Sequence, residues 1–298
     1  MIPMQAQETT LNKAKRKTHS RVKRKALVKS ACIHLVLIVA CIIAVYPFLR
    51  VVSISLRPGA SLLSTSLSLI PQGATLDNYR TLIFDKDFTI WLWNSLIVSV
   101  ATVLIGLMLA ATAAYAFSRW KFPGRRQGLV FLLLTQMLPP GMLLLPIYIM
   151  VVRLNLFNTY TGMIIAYSVG SVPFSIWLLK GYYDTIPKEL EEAALVDGAD
   201  PLTTFYRIVL PLAAPALAIA GLFSFMTAWN EYMMARVMLQ KASMFTWPLG
   251  FQKLRDQFTT QWGVFSAASV LVAIPVMLLF LYSSKWLISG LTLGGLKE

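Results

Sequence analysis

Six stretches of this chain carry no Asp, Glu, Lys or Arg: residues 31–49, 88–118, 127–152, 154–179, 208–230 and 257–284. A helix needs about twenty mostly apolar residues to cross a bilayer, since each residue rises about 1.5 Å and the hydrocarbon is about 30 Å thick. The first stretch, at 19 residues, just meets that length, and the second, at 31, has room for extra turns. Soluble domains carry roughly a quarter charged residues. Here charged residues make up 13% and hydrophobic residues 57%. The pattern predicts an all-α polytopic membrane protein with six transmembrane helices.

The charges say how the chain is oriented. Nine of the 27 Lys and Arg lie between Lys13 and Lys29, directly before the first span. No RNA-binding signature with interleaved aromatics accompanies them, so they are read as fixing orientation and touching anionic membrane lipid, with no nucleic acid as partner. The second span leaves through Arg119–Arg126, which holds four basic residues and no acid. On this assignment the cytoplasmic segments hold 18 basic residues against nine outside, placing both termini in the cytoplasm. The outer segment 232–262 runs against the trend, with four basic residues to the C-terminal tail's two. Residues 1–30 read as a basic cytoplasmic extension without apolar periodicity, 31–290 as the six-helix transmembrane domain, and 291–298 as a cytoplasmic tail. A cleaved signal peptide is disfavoured, because Tyr46-Pro47-Phe48-Leu49-Arg50 offers no small-residue cleavage site.

Catalytic chemistry has little to work with. There is no Gly-x4-Gly-Lys-Ser/Thr phosphate loop, no His-Glu-x-x-His and no Gly-x-Ser-x-Gly. The spans contain no carboxylate pair or histidine chain for proton coupling, which weakens a proton-driven carrier as well as an intramembrane enzyme. Cys32 and Cys41 fall on opposite faces of one helix, and His19 and His34 lack metal-ligand spacing. The reading is a non-catalytic membrane subunit with no cofactor or metal of its own.

The loop at 181–211 carries the most specific signal: Glu192-Ala193-Ala194, then Gly198, then Ile208, Leu210 and Pro211. Leu190, Ala193 and Ala194 share a small, weakly apolar helix face suited to close docking. Pro187 is placed to start that helix, Gly198 to end it in a left-handed cap, and Asp200-Pro201 to open a second short helix. Six of the chain's 13 acids lie between Asp184 and Asp200. They suit cationic partners or, more plainly, a solvated face.

The pattern E-A-A-x3-G-x9-I-x-L-P resembles the cytoplasmic signature of permease subunits of bacterial ATP-binding-cassette importers. Trp93-Asn94-Ser95, Ala114-Tyr115-Ala116-Phe117, Gln136-Met137-x-Pro139 and the terminal Gly-Leu-Thr-x-Gly-Gly-x-Lys extend the resemblance from the first span to the C-terminus. It is closest to the smaller permease subunit of maltose and maltodextrin importers, although Leu293 stands where that group has a small alanine. The resemblance implies a type I importer permease fold with a cytoplasmic coupling helix. It also implies a second, larger permease subunit, two copies of an ATPase that binds ATP and Mg, and an outer sugar-binding protein. Glu192, Ala193, Ala194, Gly198, Ile208, Leu210 and Pro211 would then engage the ATPase, and Gly294, Gly295 and Lys297 would reach it through the tail.

Two further sites are less specific. Gln136, Pro139 and Pro140 interrupt the third span; broken backbone in a membrane must face other helices or a water-filled cavity, so they either line a substrate path or form a packing kink. Trp229-Asn230-Glu231, at the end of the fifth span, resembles the carbohydrate-importing branch and is a candidate binding-protein contact, with an interfacial anchor as the alternative. Other solutes such as glycerol phosphate are disfavoured by the lack of cationic residues within the spans.

Overall fold

The computed structural model describes residues 4–59, 70–255 and 260–294, with side chains placed between 29 and 286. Among these residues every regular element is helical. In chain order they are α1 (Met4–Ser55), α2 (Asp77–Phe84), α3 (Phe88–Arg119), α4 (Arg125–Met137), α5 (Pro140–Arg153) and α6 (Tyr160–Tyr183). The short α7 (Glu189–Val196) and α8 (Pro201–Thr204) follow, then α9 (Leu210–Leu212), α10 (Ala214–Trp229), α11 (Met233–Met238), α12 (Trp247–Phe251) and α13 (Trp262–Gly294). Among the described residues four helices are long and apolar enough to cross a membrane unbroken, and two bent pairs raise the number to six if each pair counts as one span.

The bundle is built around α3, which packs on α6 and α10, while α10 also packs on α13. The buried stripe of α3 runs through Trp91, Val98, Thr102, Gly106, Ala110 and Ala114, at spacings of four and seven that keep one helix face inward. Its small residues let neighbouring helices approach closely, as membrane bundles require. A Cβ on Gly106 would lie 3.5 Å from Val172, and one on Gly221 of α10 would lie 3.3 Å from Leu107. The opposite face of α3 leaves Leu104, Met108 and Leu109 more than half exposed. That is the arrangement of a helix whose solvent on one side is lipid or another apolar chain.

The third span is broken as the prolines predict. Leu138 and Pro139 are extended, and α4 and α5 meet at 109°. The pair still connects the two ends of the bundle. Near its start Arg125 Nε donates to the Phe117 carbonyl at one end, and near its finish Ile147 and Val151 join the apolar cluster of Trp91 and Leu249 at the other. The fifth span is bent too, by 76° between Pro201–Leu212 and Ala214–Trp229.

The first and last helices are the longest of the chain's described elements. α1 runs without interruption through residue 30, where the sequence has no apolar periodicity. At about 1.5 Å per residue its length is roughly 78 Å, so only a part can lie within a hydrocarbon layer about 30 Å thick. The last helix is continuous through residue 290 as far as Gly294. Gly295 and Lys297 lie outside the described residues.

Candidate functional site

α7 stands at one end of the bundle. Its first backbone bonds close on the Lys188 carbonyl, which accepts from the Glu191 and Glu192 amides at 2.9 Å each. Lys188 is thus the N-cap, and Pro187 precedes the helix instead of opening it. At the other end Gly198 has φ +86. The Gly198 amide donates to Leu195 O at 3.1 Å and the Ala199 amide to Ala194 O at 2.9 Å, the paired closing bonds of a left-handed cap. Asp200 then caps α8, its Oδ1 accepting from the Thr203 amide at 3.0 Å. Those bonds to Thr203 hold the Asp200 carboxyl below the usual carboxylate range.

Between α8 and α9, residues Phe205–Val209 form a turn of π-helix, in which the Leu210 amide reaches back to the Phe205 carbonyl. Proline has no N–H, and its ring crowds the carbonyl four residues back. The wider π turn just before Pro211 accommodates it without ending the chain's helical course. Ile208 and Leu210 are half-buried there, and Pro211 is exposed.

α7 has two unlike faces. Glu191 and Ala194, at i and i+3, turn inward and are buried. Leu190, Glu192, Ala193, Leu195 and Val196 turn outward, Val196 with 88% of its surface free, and Leu202 and Tyr206 continue the exposed apolar strip.

The inward carboxylate is held tightly. Arg119, the last residue of α3, donates from Nε to Glu191 Oε1 at 2.5 Å, from Nη2 to Ile186 O at 3.0 Å and from Nη1 to Ser118 Oγ at 3.1 Å. Tyr115 Oη donates to Glu191 Oε2 at 2.7 Å, and the Tyr115 ring lies 4.7 Å from that of Phe205. Ser118 Oγ donates to Asp184 Oδ1 at 2.7 Å, while Lys180 pairs with Asp184 Oδ2 at 2.5 Å. Burial pushes the Asp184 carboxyl upward, but the bonds from Lys180 and Ser118 and the nearby cations outweigh it, and it lies below the usual range.

At the opposite end of the bundle, residues 239–251 fold back on α3. Asn94 Nδ2 donates to the carbonyls of Ser243 and Phe245, at 2.8 and 3.0 Å, while its Oδ1 accepts from Tyr160 Oη at 2.8 Å. The Trp247 amide donates to Ser95 Oγ at 2.7 Å, and Asn158 Oδ1 accepts from the amides of Gln240 and Lys241. Gly250 packs on Trp91 so closely that a Cβ would overlap the indole.

Residues 82–292 match the family described as binding-protein-dependent transport system inner membrane component. The chain belongs to this family. As a permease, it is similar to the maltose/maltodextrin transport system permease protein MalG of Salmonella typhimurium, 36% identical over 283 residues, 89% of this chain and 94% of that one. The maltodextrin permease MdxG of Bacillus subtilis is 32% identical over 273 residues, 91% of this chain and 97% of the relative. The galactooligosaccharide permease GanQ of the same organism is 34% identical over 268 residues, 89% and 94% of the two chains. A chain of a bacterial ABC transporter that imports the acidic polysaccharide alginate superposes with TM-score 0.76 at 25% identity, over 87% of this permease and 96% of that chain. The MetNI methionine ABC transporter shares the fold alone, with TM-score 0.53 at 19% identity over 65% of this permease and 92% of that chain. The permease is a multi-pass protein of the cytoplasmic membrane with the type I importer fold.

The structure sorts the residues expected to act. Glu192 and Ala193 face outward, but Ala194 packs inward beside Glu191, so the exposed weakly apolar face is Leu190, Ala193 and Val196 in place of Leu190, Ala193 and Ala194. Trp229 must be corrected. It is 1% exposed, stacks on Phe225 and donates to Val272 O, so its indole is part of the core and has no surface to offer a docked protein. Asn230 is exposed, and Glu231 caps α11 by accepting from the Met234 amide at 3.0 Å. Gln136 donates from the broken span to Gly170 O of α6 at 3.2 Å, with Pro139 and Pro140 exposed close by in sequence. Sequence reasoning missed Glu191, Arg119 and Tyr115 as a unit. No local signal separated Glu191 from Glu192, because helix neighbours about 100° apart can share the exposed face, as Leu195 and Val196 do.

Proposed function

We propose that this chain is the non-catalytic permease subunit of an ATP-driven carbohydrate importer, with maltose and maltooligosaccharides as its substrates. The observation that carries the reading is α7: a capped helix at one end of a membrane bundle, anchored on one face and presenting an unpartnered apolar and acidic strip on the other. A chain without a phosphate loop gains from such a helix only if a separate ATPase binds it. Two ATPase copies, holding ATP and Mg, would sit at the α7 end, which is then cytoplasmic together with both termini. A second, different permease would cover the exposed apolar faces of the spans, and a sugar-binding protein would dock at the α12 end.

Closure of the ATPases moves α7, and the bundle alternates between outward- and inward-facing arrangements. The break at Pro139 and Pro140, with exposed polar Gln136, supplies backbone groups where a hydrated path would run. The sugar assignment is supported by the names of the relatives, and the galactooligosaccharide relative supports a second reading in which another oligosaccharide is carried. The test is uptake of labelled maltotriose and of a galactooligosaccharide into proteoliposomes holding the assembled importer, its binding protein and internal ATP. ATP-dependent accumulation of maltotriose is expected. Accumulation of the galactooligosaccharide alone would select the second reading, and uptake driven by a proton gradient without ATP would defeat both.

A further inference from the structure

We infer that Arg119, Glu191 and Tyr115 are positioning residues that fix α7 to the end of α3, so that a displacement imposed on α7 is delivered to α3 and α6 instead of being absorbed in the connecting loop. The inference rests on reading α7 as the coupling helix. Arg119 and Tyr115 are four residues apart and share one face of α3, and between them they engage both oxygens of Glu191. The same guanidinium holds the Ile186 carbonyl, and Ser118 holds Asp184. The segment from 184 to 191 is therefore tied at its start, middle and end to one helix terminus.

The ion pair is shut away from water, with side chains 7% and 11% exposed. A buried pair of this kind adds little net stability over an apolar pair, but separating its members strands a charge in a poor solvent. It resists displacement far more than it favours folding. Glu192, next along the helix, is exposed and lacks such ties, so two adjacent acids divide the work: one holds α7 to the bundle and the other faces outward.

The test uses the assembled importer with its ATPases and binding protein, after Cys32 and Cys41 are replaced by Ser. Glu191→Gln and Arg119→Gln should retain ATPase at wild-type stoichiometry, because the outward face is untouched. Sugar moved per ATP hydrolysed should fall by about 5- to 150-fold, the usual range of inter-site coupling. Arg119→Lys, which keeps the charge but loses the fork, should fall less. Arg119→Cys/Glu191→Cys should be uncoupled when free and regain transport once bridged by a short bis-thiol linker. A wild-type transport ratio in the Gln variants overturns the inference, as does arrest of transport by the bridge, since the pair would then have to open in each cycle. Should the Gln variants fail to insert, the bridged and unbridged states of the double variant decide alone. Loss of the ATPase from the unmodified importer would instead count against the coupling-helix reading itself.

Discussion

Asn94 and Phe245 stand 151 positions apart, yet the side-chain amide of the first donates to the carbonyl of the second at 3.0 Å inside the protein. The same Asn94 amide satisfies Ser243 and Tyr160, so one side chain at the start of α3 fixes the long segment between α10 and α13. Asn94→Leu would leave two carbonyls and a hydroxyl unpaired, at about 1–3 kcal/mol for each buried group that water cannot reach. The expected outcome is a lower melting temperature and weaker stimulation of ATP hydrolysis by sugar-loaded binding protein, with basal hydrolysis retained. Unchanged stimulation would show that this segment does not carry the outer signal.

Gly198 tests the cap of α7. A Cβ there would meet nothing within 4 Å, so any cost of substitution comes from the backbone at φ +86 and not from crowding. Gly198→Val should cost about 1–3 kcal/mol of local strain and lower coupled transport, with the spans still inserted. Gly198→Asn should be much milder, because asparagine tolerates the left-handed region. Equal transport by both variants would remove the cap argument.

Asp200 supplies a pH dependence. Its carboxyl lies lower in the folded chain than in the unfolded one, so the stability it adds is present above the ordinary carboxylate pKa and is lost as pH falls through the lowered value. The Thr203 amide should therefore exchange faster with solvent below about pH 4. Asp200→Asn keeps a capping oxygen and should abolish that pH dependence. Persistence of the dependence in Asp200→Asn would assign it to another group.

Trp229 separates packing from recognition. Trp229→Ala deletes a buried aromatic, for which a loss of about 3–5 kcal/mol is usual. Low yield of monodisperse protein and a lower melting temperature are expected, while complexes that do assemble bind the sugar-binding protein normally. Wild-type stability with impaired binding would return Trp229 to the docking surface.

How much was legible beforehand depended on whether the physics was local. Charge-free intervals located the four long apolar helices and the two bent pairs, because a bilayer imposes length and polarity on each segment separately. The Gly198 and Asp200 caps were readable for the same reason, since their bonds close within five residues. The break at Pro139 was readable too, as a missing N–H is a property of the residue itself. The π turn before Pro211 was not, because the chain had several ways to accommodate that proline. Nor was the inward turn of Glu191, which depends on Arg119 lying 72 positions earlier. Trp229 was misplaced because an aromatic at a span's end reads alike whether it meets lipid headgroups or, as here, Phe225 and Trp247.

The outward face of α7 can be probed by installing a photo-cross-linking amino acid at Val196, the most exposed large hydrophobic side chain of that helix, and separately at Ala194. Illumination of membranes containing the whole importer should join the Val196 probe to the ATPase in high yield, and the yield should change when ATP binds. The Ala194 probe, turned into the bundle, should stay within its own chain. If Val196 captured only lipid or the permease itself, while Ala194 captured the ATPase, α7 would not be the helix through which hydrolysis reaches the membrane.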